Sequence, residues 1–115
     1  WFTQQALYGR MSHAARLERE LPFSYPADAQ ALYGVEADER VLLQGVVDAC
    51  FLEDGGWTIV DYKTDRVRPG ESAEQAAKRH DTQMRLYALA VEAITGHPVR
   101  ERLVVLLSHR SIIAL

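Results

Sequence analysis

The chain has 115 residues, 48% hydrophobic and 25% charged, the make-up of one ordinary globular domain able to bury roughly two thirds of its unfolded surface. Its net charge of −3, from 13 basic and 16 acidic side chains, excludes a domain that grips DNA over its whole surface by releasing counterions, because such domains are far more basic. A single cysteine, Cys50, excludes an internal disulfide, an iron–sulfur cluster held by this chain and a four-thiolate zinc site.

No apolar run approaches the length needed to span a bilayer, and no charged start leads into an apolar stretch and cleavage site. The expectation is a soluble cytoplasmic domain with no membrane partner. The opening "WFTQQALYGRM" lacks an initiator methionine and already carries a helix-compatible pattern, as expected of a piece of something longer. Residues 1–16 are predicted to form a helix with Phe2, Ala6, Met11, Ala14 and Ala15 as its apolar stripe. A strand follows over Leu17–Tyr25, with Pro22 marking it as an edge or a strand end. "PADAQALYGVEADER" is a polar connection that has room for a short helical turn.

"VLLQGVVDACFLE" and "WTIVDYK", separated by "DGG", form the firmest element, a β-hairpin, since such turns demand the positive φ that glycine tolerates. Ser72–Gln75, "SAEQ", is a capping-box pattern that starts a helix. The helix continues, with a break near His80 and Asp81, to Gly96 and Pro98, which end it. Its face carries Met84, Ala88, Val91 and Ile94. "RLVVLLS" is a buried strand, and "SIIAL" pairs back on it through Ser108–Arg110. Helix, three strands, helix and strand in that order predict an α/β domain with a mixed sheet flanked by helices.

The hairpin contains two aspartates where a strand buries apolar side chains. Asp61 and Lys63 share one face of their strand. A turn centred on Asp54 and Gly55 sets Asp48 across from Asp61, whereas one centred on Gly55 and Gly56 sets it across from Lys63. Either two-residue turn keeps all three on one face. Facing carboxylates about 5 Å apart repel by roughly 3 kcal/mol at an effective dielectric near 20, and directly opposed like charges destabilise a sheet. Mg²⁺ offsets such repulsion, since it takes one or two carboxylates and draws its other oxygens from water and substrate phosphates. Lys63 beside it is placed to orient or help deprotonate a water and to stabilise charge at phosphorus. That set suits phosphodiester hydrolysis. A plain Asp61–Lys63 ion pair with Asp48 partly solvated accounts for the same three residues, and both readings stand at this point. The basic lean of residues 61–115, nine cations to seven anions, puts candidate phosphate contacts at Lys63, Arg66 and Arg68 and at Lys78–His80.

"GVVDACF", "WTIVDYKTDR" and "QMRLY", in this order, resemble the RecB-type branch of the PD-(D/E)XK nucleases. More narrowly, from about Arg19 onward and including "ERELPF", the chain is similar to the nuclease domains of AddA-type helicase–nuclease subunits. The resemblance implies a restriction-endonuclease-like core and a Mg²⁺- or Mn²⁺-dependent nuclease acting on DNA in double-strand-break repair and recombination. It implies upstream helicase domains in the same polypeptide and an AddB-type partner subunit. Asp48 and Asp61 become metal ligands, with the backbone carbonyl of Tyr62 a further one, and Lys63 the catalytic lysine. Gln83 and Tyr87 match a Gln-x-x-x-Tyr element near the metal and the DNA strand, and Arg66 joins them as a nucleic-acid contact. Glu20 matches a glutamate in the family's first strand, with a structural or a site-directed role. The branch also carries a metal-binding histidine in a Gly-x-x-x-His context. His13 lacks that context, so the histidine is expected before Trp1. Two rival expectations are a noncatalytic DNA-binding or docking module of the same fold and a stand-alone exonuclease of the same family.

Overall fold

A computed structural model describes residues 3–28 and 40–115. Helix α1 spans Gln4–His13 and is capped by Thr3, whose Oγ1 accepts from the N–H of Ala6. Strands β1 (Arg16–Asp28), β2 (Arg40–Glu53) and β3 (Gly56–Lys63) form an antiparallel meander. Helices α2 (Ala73–Lys78) and α3 (Asp81–Thr95) then cross over, and β4 (Val99–Leu106) returns parallel to β3. Strand β5 (Ser111–Ala114) turns back on β4, giving the sheet order β1-β2-β3-β4-β5. The mixed sheet and the returning last strand are both as expected from the sequence.

The first helix is shorter than predicted and rotated. Leu7 and Met11 are its buried residues, while Ala6 and Ala15 are exposed. The helix stops because the N–H of Ala15 donates to Leu52 O at 2.9 Å and the strand ladder takes over. Trp1 and Phe2 lie outside the described residues, as do positions 29–39, which carry most of the polar connection. Arg10 ties α1 to the sheet: its Nη2 lies 2.7 Å from Glu53 Oε1 and 2.8 Å from Glu101 Oε1, with the guanidinium over the Phe51 ring. Arg10→Ala is therefore expected to lower stability by about 1–2 kcal/mol, readable as an earlier urea midpoint.

Strand β1 has β2 on one side only, so Pro22 and Pro26 remove no ladder hydrogen bond that the sheet needs. Asp54 and Gly55 occupy the hairpin turn at φ 49° and 77°, and Glu53 pairs with Gly56. This is the primed turn that an Asp-Gly sequence favours, because its twist matches that of the flanking strands. Alternation along β3 then serves two cores. Trp57 and Ile59 pack with Cys50, Met84 and Val91 toward α2 and α3, while Val60 packs with Leu7, Met11 and Phe51 toward α1. Cys50 is fully buried, and burial pushes its thiol up to about 11, which makes it an inert core residue.

The capping box forms as expected: Ser72 Oγ accepts from Gln75 N, and Gln75 Oε1 accepts from Ser72 N. The helix breaks between Lys78 and Asp81, and Gly96 ends it at φ 76°. Ile94 is 56% exposed, outside the expected core stripe. At 100° per residue it stands about 80° around the helix from Met84, at the margin of the face that Met84 and Val91 bury. β4 starts three residues earlier than predicted, and Leu107 and Ser108 lie in the turn beyond it.

Candidate active site

Strand β3 pairs with β2 only as far as Ala49–Val60, but its pairing with β4 runs on to Lys63–Leu106. Asp61, Tyr62 and Lys63 thus have a neighbour on one side and an open flank on the other. Asp48 fills that flank. Its Oδ2 accepts the N–H of Tyr62 at 2.8 Å, where a ladder carbonyl would otherwise sit. The same level of β1 is bent: Arg19 pairs with Ala49 and Leu21 with Val47, while Glu20 between them takes φ 50°. Ala49 faces the α1 core, yet Val47 and Leu21 both pack on the α2–α3 core next to Cys50. The side-chain alternation therefore slips by one residue in both strands at Glu20 and Asp48. A left-handed residue in mid-strand is strained, and it lies at the level where β2 and β3 part and Asp48 stands in the fork.

Three charged groups meet there. Lys63 Nζ lies 2.9 Å from Asp61 Oδ2. Asp61 is 3% exposed, and that oxygen has no hydrogen bond; the ammonium approaches it as an ion-pair neighbour, off the axis a hydrogen bond needs. Burial pushes the Asp61 carboxyl above its ordinary range, contact with Lys63 pulls it down, and the carboxyl of Asp48 pushes it up again, with the net effect upward. A simple surface ion pair would hold the acid below its usual value. The Lys63 ammonium is disfavoured by burial, but Asp61 outweighs this and holds the amine above its ordinary value. In a strand the N–H and C=O of one residue point to the same side, so the Tyr62 carbonyl opens toward the flank that holds Asp48.

Helix α3 supplies the remaining wall. Gln83 Nε2 donates to Tyr87 Oη at 2.9 Å, which satisfies the amide that the sequence places among apolar neighbours. Burial, and next the charge of Asp61, raise the Tyr87 phenol, so the ring stands within reach of the carboxylates. Phe23 meets Tyr87 edge-on at 5.4 Å. Gly45 makes room for both rings: a Cβ there would lie 3.1 Å from Phe23 and 3.3 Å from Tyr87. Tyr87→Phe keeps this packing but strips the acceptor from Gln83. Expected is a loss of about 1 kcal/mol of stability, read as an earlier urea midpoint, with far-ultraviolet circular dichroism unchanged.

Other residues singled out in the sequence stand apart. Arg66 is exposed on the loop after Lys63. Glu20 is exposed, and among the described residues no third His, Cys, Asp or Glu joins Asp48 and Asp61. His13 ends α1, its Nδ1 2.8 Å from Gly9 O. His80, among the candidate phosphate contacts, has Nε2 3.1 Å from Asp65 Oδ2. Its neighbour Arg79 contacts Glu71 at 2.5 Å and Asp65 at 3.6 Å, and donates to Arg66 O. Together they clamp the loop that leaves Lys63 onto the helix break. The sequence signal was the "RH" pair at a break facing an acid-bearing loop, legible only once that loop is folded back.

Comparison with known proteins bears on this arrangement. Residues 2–111 match the profile of the PD-(D/E)XK nuclease superfamily. Several proteins named as subunits of an ATP-dependent helicase/nuclease are similar to this chain. The one from Desulforamulus reducens is 37% identical, over 97% of this chain and 9% of that protein. Those from Geobacillus kaustophilus and Desulforudis audaxviator are each 45% identical, over 80% and 81% of this chain and 8% of each relative. The chain thus spans less than a tenth of the length of the relatives it matches.

Proposed function

Because the chain belongs to the PD-(D/E)XK nuclease superfamily, we propose that it hydrolyses phosphodiester bonds of DNA with a divalent cation, Mg²⁺ or Mn²⁺, held by Asp48, Asp61 and the backbone carbonyl of Tyr62. What carries this reading is the convergence of two carboxylates and one ammonium in the fork between β2 and β3. Two carboxylates and a carbonyl are an all-oxygen donor set of the kind a hard divalent ion takes while keeping water and substrate oxygens. When bound, such an ion neutralises the carboxylates, lowers the pKa of a coordinated water and withdraws charge from the phosphate.

The chain's own residues do the positioning. The Tyr62 N–H fixes Asp48 Oδ2 at the fork. Lys63 is held charged beside Asp61, where its ammonium meets the negative charge that builds on phosphorus oxygens as water adds and the sugar oxygen leaves. Gln83 and Tyr87 border the cluster and hold the strand against it, and Arg66 on the adjoining loop takes a neighbouring phosphate. In the longer protein the strand would be delivered by helicase domains of the same polypeptide, alongside an AddB-type subunit, during double-strand-break processing in the cytoplasm. Calorimetric titration with Mg²⁺ or Mn²⁺, paired with cleavage of an end-labelled single strand, tests the proposal. Heat on titration together with metal-dependent shortening of the strand is expected. Absence of both would leave a noncatalytic module of the same fold.

A further inference from the structure

The two loops that leave the C-terminal ends of β3 and β4 are tied together. The N–H of Leu107 donates to Lys63 O at 2.9 Å, and Ser108 Oγ donates to Thr64 O at 2.9 Å. The β4–β5 turn is thereby fixed directly beside the residue that follows Lys63. It presents His109 and Arg110, both exposed. Arg10, Arg16, Arg79, Arg85 and Arg102 are all engaged in ion pairs, and Arg100 donates to Asp54 O. Arg66, Arg68 and Arg110, like Arg19 on β1, make no side-chain ion pair among the described residues, and the first three lie on these two loops.

The backbone of Arg110 adds a second, independent sign. Its φ is 54°, a left-handed conformation that strains any side chain and suits glycine. Left-handed positions are held by Gly55, Gly70 and Gly96 and, without glycine, by Glu20 and Asp54. Glycine would relieve this turn, and the exposed Arg110 guanidinium makes no ion pair among the described residues that offsets the strain. Next to it a cleft of about 670 Å³ runs between His109–Ala114 and the start of α2. Glu74 on the α2 wall of that cleft repels phosphate, which confines a nucleic-acid backbone to the turn wall.

We infer that the β4–β5 turn, through Arg110 assisted by His109, holds the phosphate backbone of the DNA strand as it approaches the patch formed by Asp48, Asp61 and Lys63. This rests on the proposed nuclease reading and adds the path by which the strand arrives. Arg66 and Arg68 flank the same path from the β3 side. Each phosphate contact to a single strand contributes about 0.7 to the slope of log affinity against log salt.

The test uses the full-length protein and a labelled single-stranded oligonucleotide. Arg110→Gly is expected to raise the KM for cleavage about fivefold with kcat changed less than twofold, and to reduce the salt dependence of log KM by about 0.7. Its melting temperature should be equal or higher, because glycine relieves the backbone. Arg110→Lys should restore the salt slope. Separately, a benzoylphenylalanine photo-crosslinker at position 110, in EDTA so that no cleavage is needed, should capture the strand, whereas one at exposed Ala93 on α3 should not. An unchanged KM and salt slope in Arg110→Gly, or equal capture at both positions, would overturn the inference. If wild-type protein fails to cut, the crosslink still decides the strand path while the nuclease reading falls on its own.

Discussion

On the proposed nuclease reading, Asp61→Asn and Lys63→Ala, each introduced into the full-length protein, are expected to lower strand cleavage by about a thousandfold or more while the unwinding proposed for the helicase domains proceeds at the wild-type rate. Asn is isosteric with Asp, so the first change leaves the packing around a residue that is 3% exposed intact and removes only the charge. Without that charge the donor set loses one of its two carboxylates, and Lys63 loses the neighbour that holds it 2.9 Å away. Lys63→Ala removes the ammonium but keeps both carboxylates, so it should still bind the cation while failing at the chemical step. Asp48→Asn gives a graded case, because its amide oxygen can still accept the Tyr62 N–H. A labelled-strand assay run beside an unwinding assay separates these outcomes. Substantial cleavage in both the Asp61 and Lys63 variants would remove the assigned site.

The placement of this site was legible in the sequence to the extent that it followed from local rules. Asp-Gly at positions 54–55 fixes the primed turn, the turn fixes the register as far as Ala49–Val60, and period-two alternation puts Asp61 and Lys63 on one face. The capping box at Ser72 and the stop at Gly96 are equally local. What sequence did not disclose is where a ladder ends. Facing aspartates were expected as a cross-strand pair, but β2 and β3 separate just before that pair would form, at Ala49–Val60, and Asp48 replaces a ladder carbonyl. The ladder ends level with the left-handed Glu20 on β1, a residue type with no preference for that conformation, beside packing of Leu21 and Val47 that no window along the chain contains. The same holds for the clamp of Asp65, His80 and Arg79, which depends on a loop folding back across the helix break. Helix α1 shows the converse limit, since a weak stripe let the expected face settle on Ala6 when the buried residue is Leu7.

In metal-free buffer at pH 8, Asp61→Asn is expected to raise the melting temperature of this domain by on the order of 4 °C. Burial, and next to it the charge of Asp48, disfavour the Asp61 carboxylate while Lys63 offsets part of this, and a residual near 1 kcal/mol moves a domain of this size by about that much. The sign follows from linkage. The folded state holds the Asp61 carboxyl above its ordinary value, chiefly through burial, so the folded protein binds that proton more tightly than the unfolded chain does. Below the unfolded value both states are protonated and nothing is lost. As pH rises past it and through the raised folded value, the unfolded chain ionises first and stability falls, reaching its full loss above. The advantage of the Asn variant should therefore be present at pH 8 and vanish toward pH 3. Added Mg²⁺ or Mn²⁺ should invert the order, stabilising the wild type by mass action and leaving Asp61→Asn nearly unmoved. A variant that melts no higher than wild type in EDTA would mean that the Lys63 ion pair already compensates Asp61, and the buried carboxylate would then hold no strain for a cation to relieve.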